Sequence, residues 1–80
     1  MRIPRDLSGA ELAKAMNRLR YRIVRQTGSH IRLTTQQDGE HHITIPNHDS
    51  LRVGTLADLL SDVAAHHRLT RDEVLLRLFP

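Results

Sequence analysis

Hydrophobic residues near the start of the chain recur at the spacing of one helix face. That face comprises Leu12, Ala15, Met16 and Leu19. Ser8 and Glu11 stand in front of it at the two reciprocal positions of a capping box, in which each side chain bonds the other residue's backbone N–H. This pattern predicts a first helix over residues 9–20.

Three segments with β-strand character follow, separated by two turns. Residues 21–26 are β-prone, whereas residues 30–35 and 41–45 alternate polar and apolar positions as half-buried strands do. Thr27-Gly28-Ser29 predicts the first turn, and Asp38-Gly39 is a strong signal for the second. The three segments therefore predict an antiparallel meander.

Two more helices complete the predicted set of elements. The stripe expected to be buried on the second helix is Leu56, Leu59, Leu60, Val63 and Ala64. Thr55 is the predicted N-cap of this helix. Thr70 and Glu73 form another capping box, which predicts a short final helix over about residues 70–79.

The order of the elements predicts an α+β fold in a single domain, residues 1–80. We expect an α-β-β-β-α two-layer sandwich with a short extra C-terminal helix. The sheet face packed on the helices should bury Ile31, Leu33, Ile43 and Ile45. By the same alternation, the opposite face should carry His30, Arg32, Thr34, His42 and Thr44. That second face has nothing left to cover it, so we expect it to be open and polar.

Charge is distributed unevenly along the chain. Residues 1–35 carry eight cations and two anions, whereas residues 36–80 carry four cations and seven anions, so that +6 and −3 give the net charge of +3. All cations but Lys14 are arginine, whose planar guanidinium group matches phosphate. The basic half favours a polyanionic partner, most simply a nucleic acid, over a merely solvated charged surface.

The composition excludes several other classes of protein and site. There is no cysteine, which rules out disulfide bonds and cysteine-based zinc sites. No apolar run approaches the roughly 20 residues of a membrane span, and residues 1–6 lack the apolar core of a signal peptide. The spacing of His30, His42 and His48 defines no ligand set. We therefore expect a cytoplasmic protein with no membrane partner and no metal site.

Six histidines in 80 residues is a high count, and three of them have a structural explanation. His66 and His67 are predicted at a helix end, where a histidine interacts favourably with the helix dipole. His41 should point inward or lie at the rim of the sheet, with a structural or solvent-facing role.

The Gly28-Ser29-His30 turn has the residue types that phosphodiester chemistry needs. A glycine-bearing turn lets the backbone approach a ligand closely, and the serine hydroxyl can orient a phosphate or the imidazole. His30 begins a strand, which fixes its position, and Arg32 points to the same face. A histidine side chain can act as acid or base near neutral pH.

These residues resemble the HicA family of toxin endoribonucleases, from bacterial and archaeal toxin–antitoxin modules. The similar stretches are Ser8–Leu12, Tyr21, Arg25–His30, the Pro-x-His motif in Ile45–His48, Gly54–Leu56 and Leu59-Leu60. They cover about residues 6–66. One departure is Arg20, where the family usually has glycine before the aromatic residue.

The resemblance implies a fold like that of the double-stranded RNA-binding domain. It also implies cleavage of messenger RNA without metal or cofactor, a single key histidine that corresponds to His30, and a HicB-type antitoxin as partner. The residues expected to bind RNA are Gly28, Ser29, Arg32, Arg25, His42 and His48. Of these, His42 and His48 are also candidate general acids.

Two alternatives to the enzyme remain open from the sequence. The first is a non-catalytic RNA-binding module of the same fold, in which arginine contacts with phosphate explain the basic half. The chain has few aromatic side chains for base stacking, namely Tyr21 and Phe79. The second alternative is a protein-interaction domain that uses the acidic half and the short last helix.

Overall fold

A computed structural model describes residues 3–80 of the chain. The elements are α1 (Gly9–Met16), a 3₁₀ turn (Asn17–Leu19), β1 (Arg22–Gln26), β2 (His30–Thr35), β3 (His41–Pro46), α2 (Val53–His67) and α3 (Arg71–Leu78). The strands form one antiparallel sheet in the order β1-β2-β3. The predicted α-β-β-β-α sandwich with an extra C-terminal helix is thus confirmed, and its α+β class agrees with a fold like the double-stranded RNA-binding domain.

The first helix begins at the predicted capping box and ends earlier than predicted. Ser8 Oγ accepts the Glu11 N–H, and Glu11 Oε1 accepts the Ser8 N–H, both at 3.0 Å. Regular α-helix stops at Met16 and tightens into the 3₁₀ turn. Arg20 then adopts a φ of 66°, the left-handed conformation that glycine favours. The arginine therefore ends the helix with a backbone conformation that its side chain disfavours.

Gly9 allows the start of α1 to lie directly against the end of β3. A Cβ at this position would stand 2.0 Å from the Pro46 carbonyl oxygen, a backbone atom that cannot turn away. The Gly9 N–H donates to the His48 carbonyl at 2.9 Å. The helix N-terminus thus docks on the Pro46–His48 segment through backbone atoms.

The sheet buries the face that the alternation predicts. Ile31, Leu33, Ile43 and Ile45 are all buried, in contact with the helices. On the opposite face, His30, Arg32, His42 and Thr44 are exposed as expected. Thr34 is the exception on that face, because it is buried between its register neighbours Arg22 and His42, and its hydroxyl donates to the His41 carbonyl at 3.3 Å.

Helix α2 begins two residues before the predicted cap. Its first residue is Val53, and the N-cap residue Arg52 makes no side-chain capping bond, so the prediction of Thr55 as the cap was wrong. The buried Leu51 fixes this start, since its N–H donates to the Leu7 carbonyl at 2.8 Å. No helix within residues 3–80 has both the length and the apolar character needed to cross a membrane.

The C-terminal helix is part of the core. Its predicted capping box is present, with Thr70 and Glu73 bonded reciprocally at 2.9 and 3.1 Å. Val74, Leu75 and Leu78 are buried in the same cluster as the residues of α1 and α2. Only the outer side of α3 is therefore exposed and available to a partner.

Because Gly9 packs closely against Pro46, a methyl group added at position 9 should destabilise the protein, whereas one added at position 54 should not. We expect Gly9→Ala to lower the free energy of unfolding by about 1–3 kcal/mol, because the new Cβ overlaps the Pro46 carbonyl. Gly54→Ala is the matched control, since a Cβ there meets no atom within 4 Å. That variant should be neutral or more stable by up to about 1 kcal/mol, owing to the higher helix propensity of alanine. Urea denaturation of the two variants measures the difference, and equal stabilities would contradict the packing described.

Candidate nucleic-acid interface

Thr27 organises the turn between β1 and β2. Its Oγ1 accepts the backbone N–H of Ser29 at 3.3 Å and that of His30 at 3.1 Å. Its own N–H donates to the His30 carbonyl at 2.9 Å. A Cβ on Gly28 would meet no atom within 4 Å, so the outer side of the turn is open. A ligand can therefore reach the backbone of a turn whose shape is already fixed.

His30 stands exposed at the start of β2, immediately after this turn. Its Nδ1 lies 2.9 Å from the hydroxyl oxygen of Ser29. When Nδ1 carries the proton and donates to Ser29, the other ring nitrogen, Nε2, is left as an unprotonated acceptor. This is the arrangement that a general base needs.

The Pro46–His48 segment lies beside the turn. The Asn47 N–H donates to the Ser29 carbonyl at 2.9 Å, and His30 is the register partner of Pro46. His48 is exposed and follows Asn47 directly. The structure therefore brings His48 to the same edge of the sheet as His30, as the sequence allowed but could not establish.

His42 lies on the same face as His30 but far along it. The residue opposite His42 is Thr34, four positions from His30 on β2, or about 13 Å at roughly 3.3 Å per residue. The imidazole Nε2 of His42 is 3.4 Å from a carboxylate oxygen of Glu40. The geometry thus does not place His42 at the same phosphate as His30, which leaves His48 as the nearer candidate acid.

A β-bulge in β1 brings Arg25 to the open face of the sheet, in addition to Arg22. The register pairs Arg22 with Thr34 and Arg25 with Arg32, with a shift of one residue between Ile23 and Arg25. In a regular strand, residues 22 and 25 would point to opposite faces. The bulge instead puts both on the face of Arg32 and His30. Like charges directly opposite each other repel, so the Arg25–Arg32 pair favours an anionic ligand between them.

Three residues of this site were not predicted to belong to it, namely Thr27, Arg22 and Asn47. Thr27 could have been found, because a threonine hydroxyl can bond the backbone of its own turn. Arg22 could also have been inferred from the alternation with the buried Tyr21. Asn47 contributes only its backbone N–H, so its identity in the sequence could not have predicted the bond to Ser29.

The remaining histidines form a separate network at the opposite end of the sheet. The hydroxyl oxygen of the buried Tyr21 lies 2.6 Å from His41 Nδ1 and 3.2 Å from His67 Nε2. The outer nitrogens of these imidazoles meet carboxylates: His41 Nε2 lies 3.2 Å from Asp62, and His67 Nδ1 lies 3.0 Å from Asp38. Burial, with a smaller contribution from Asp62, raises the pKa of Tyr21 well above its ordinary value, so the phenol stays protonated.

His66 completes this network and ties α2 to the turn after β2. Its ring stacks on that of His41, with centroids 4.3 Å apart and planes 9° from parallel. Its Nε2 lies 2.9 Å from the Gln37 carbonyl oxygen and 3.0 Å from that of Gly39. The histidines at the end of α2 therefore attach the helix to the β2–β3 turn, beyond the dipole interaction predicted. Within the described part of the chain, no three histidine or acidic side chains are arranged as metal ligands.

Removal of the Tyr21 hydroxyl should test this network. Tyr21→Phe leaves one nitrogen of His41 and one of His67 without their partner, so we expect a loss of about 1–3 kcal/mol in the free energy of unfolding. Combination with His67→Leu should cost less than the sum of the two single changes, because both partners of one bond are then absent. Urea denaturation of the three variants gives the coupling, and strictly additive losses would argue against the bond.

Comparison with known proteins identifies one family. A protein-family model, described as the HicA toxin of bacterial toxin–antitoxin systems, matches residues 9–64. The match runs from the first residue of α1 into α2 and includes the Gly28-Ser29-His30 turn and the Pro46–His48 segment. No curated protein and no solved structure matches the chain significantly.

Proposed function

Since the chain belongs to the HicA family, the toxins of bacterial toxin–antitoxin modules, we propose that it is an endoribonuclease that cleaves single-stranded messenger RNA. The observation that carries this proposal is the exposed His30 imidazole, held by Ser29 at the edge of an open face lined with arginine. The face supplies positive charge for the RNA backbone, and the histidine supplies the base.

RNA provides its own nucleophile for this reaction, the 2′-hydroxyl next to the scissile phosphate. In the proposed step, His30 Nε2 removes the proton of that hydroxyl as its oxygen attacks phosphorus. The bond from the 2′-oxygen to phosphorus forms while the bond from phosphorus to the 5′-oxygen breaks, which yields a cyclic phosphate and a free 5′-hydroxyl. General base catalysis of this kind contributes roughly 10²–10⁴-fold.

Negative charge that develops on the phosphate needs fixed donors close by. Arg32 lies two residues beyond His30 on the same face, with Arg25 opposite it in the register. The open backbone at Gly28 and the hydroxyl of Ser29 border the same space. Donors held in place by a turn and a strand stabilise the transition state without having to reorganise during the reaction.

The leaving 5′-oxygen must receive a proton, and we assign this role to His48. The Asn47–Ser29 backbone bond holds the loop that carries His48 against the turn that precedes His30. His42, about 13 Å along the strand, is better placed to contact a neighbouring part of the RNA.

Loss of the His30 imidazole should abolish cleavage without unfolding the protein. His30→Ala removes the base from an exposed position, so we expect at least a 10²-fold drop in kcat, following the range for general base catalysis, with an unchanged melting temperature. The assay is cleavage of labelled single-stranded RNA by purified protein in EDTA. His42→Ala should instead raise KM and retain turnover.

Two outcomes would contradict this proposal. Equal cleavage by wild type and His30→Ala at matched concentration would remove His30 from the mechanism. Binding of RNA by the wild type without any cleavage would favour the non-catalytic RNA-binding module.

We further propose that a HicB-type antitoxin restrains the toxin by covering this site. The surface is basic around His30, and β1 is an edge strand in which all five residues are exposed. An antitoxin can therefore offer acidic side chains to the arginines, or a backbone edge to the unpaired side of β1. Direct coverage needs no conformational change in the toxin.

Hydrogen exchange on the toxin–antitoxin complex should locate this contact. We expect protection concentrated on residues 27–33, because the partner would exclude water from the turn and the start of β2. Protection limited to residues after Gly54, with the Gly28 turn still exchanging freely, would show that inhibition acts from the far side.

A further inference from the structure

An arginine-lined pocket lies at the opposite end of the sheet from His30. It has a volume of about 260 Å³ and is bordered by the 3₁₀ turn, the β2–β3 turn and α3. Its cations are Arg18, Arg20 and Arg77, and its one carboxylate belongs to Asp38. The proposed cleavage site has no residue in common with this pocket, so the pocket needs an explanation of its own.

The positive charge of the pocket is only partly neutralised from within. Three arginines line it against one carboxylate, Asp38, which lies 3.0 Å from His67 Nδ1. Glu73, one helical turn before Arg77, has its pKa lowered by the capping bonds with Thr70 and, to a smaller extent, by Arg77. Three guanidinium groups against these two carboxylates leave a net positive charge that suits an external anion.

Arg20 connects this pocket to the open face of the sheet. It also borders an adjacent depression of about 480 Å³ that contains Arg22 and Thr34. Arg22 shares the open face with Arg25 and Arg32, as the register shows. A continuous run of arginines thus leads from the side of His30, along β1, into the pocket.

Two features of this chain shape the pocket. Arg20 occupies a left-handed position, φ 66°, which would suit glycine better. Arg77 belongs to α3, which lies outside the family match over residues 9–64. Arg68 ends α2 in the same left-handed conformation, φ 58°, without lining this pocket, so the conformation of Arg20 by itself marks a helix end. The convergence of three guanidinium groups from two separate elements is what favours an anionic ligand.

We propose that the Arg18–Arg20–Arg77 pocket binds backbone phosphates of the RNA strand several nucleotides from the cleaved bond. This inference rests on the proposed ribonuclease function and adds to it a requirement for substrate length. The strand would cross the open face from His30 past Arg22, a path of more than about 13 Å. Guanidinium groups suit this role because they donate two parallel hydrogen bonds to one phosphate.

The test compares the double variant Arg20→Gly/Arg77→Gln with Arg52→Gln/Arg71→Gln. Both variants lose two charges, but Arg52 and Arg71 do not line the pocket. Glycine at position 20 fits the left-handed backbone, so the first variant should fold at least as well as wild type. Each protein is assayed for kcat/KM on single-stranded RNAs of about 3 and about 15 nucleotides that share one cleavage site, over a range of salt.

We expect only the pocket variant to lose activity on the long RNA, by about tenfold, with kcat/KM on the short RNA unchanged. The salt dependence of binding to the long RNA should become shallower by about 1.4 in log–log slope, at roughly 0.7 for each lost phosphate contact. The control variant should show neither effect.

Three results would overturn the inference. Equal losses on both RNAs, or in both variants, would show an effect of net charge alone. Unchanged activity of the pocket variant on the long RNA would leave the pocket to another ligand, such as an acidic protein, while wild-type cleavage would still support the ribonuclease. If the wild type neither binds nor cleaves RNA, the proposed function itself fails and the pocket assignment fails with it.

Discussion

The candidate site depends on one short segment that is bonded on both sides. Within Pro46–His48, the His48 carbonyl accepts the N–H of Gly9 at the start of α1, and the Asn47 N–H donates to the Ser29 carbonyl in the turn before β2. Helix, loop and turn are thereby fixed relative to one another through backbone atoms. The absence of a side chain at Gly9 is what permits this contact. Two exposed histidines, His30 and His48, consequently lie at one rigid edge.

The histidines at the two ends of the sheet have different surroundings. His41, His66 and His67 are bound into the network around Tyr21, where carboxylates and backbone carbonyls occupy their ring nitrogens. That end holds α2 to the sheet and engages these three imidazoles, whereas the neighbouring His42 is exposed on the open face, 3.4 Å from Glu40. At the other end, the side chain of His30 forms one hydrogen bond within residues 3–80, and its partner is the adjacent Ser29. Residue type was the same throughout, and the surroundings separate the structural histidines from the candidate base.

The open face combines repulsion between its own charges with access for a ligand. Arg25 and Arg32 are held directly opposite each other by the bulge in β1, an arrangement that costs stability in the free protein. A polyanion would turn this repulsion into attraction. The same argument extends to the arginine pocket, where an unfavourable backbone conformation at Arg20 adds to the cost. Positions that oppose folding in this way are commonly retained for binding.

Local features were predictable from the sequence, because they depend on residues within about four positions of each other. Both capping boxes, the alternation that buries Ile31 and Ile43, and the Gly28-Ser29-His30 turn belong to this group. Their order also sufficed to indicate the fold and the family. Tertiary structure alone decided features that join distant residues. These were the early start of α2, the bulge that turns Arg25 outward, the burial of α3, the Tyr21 network, and the choice of His48 over His42 as neighbour of His30. Each is set by strand register, by packing in the shared core, or by hydrogen bonds between segments about twenty residues apart or more, for which no local pattern carries a signal.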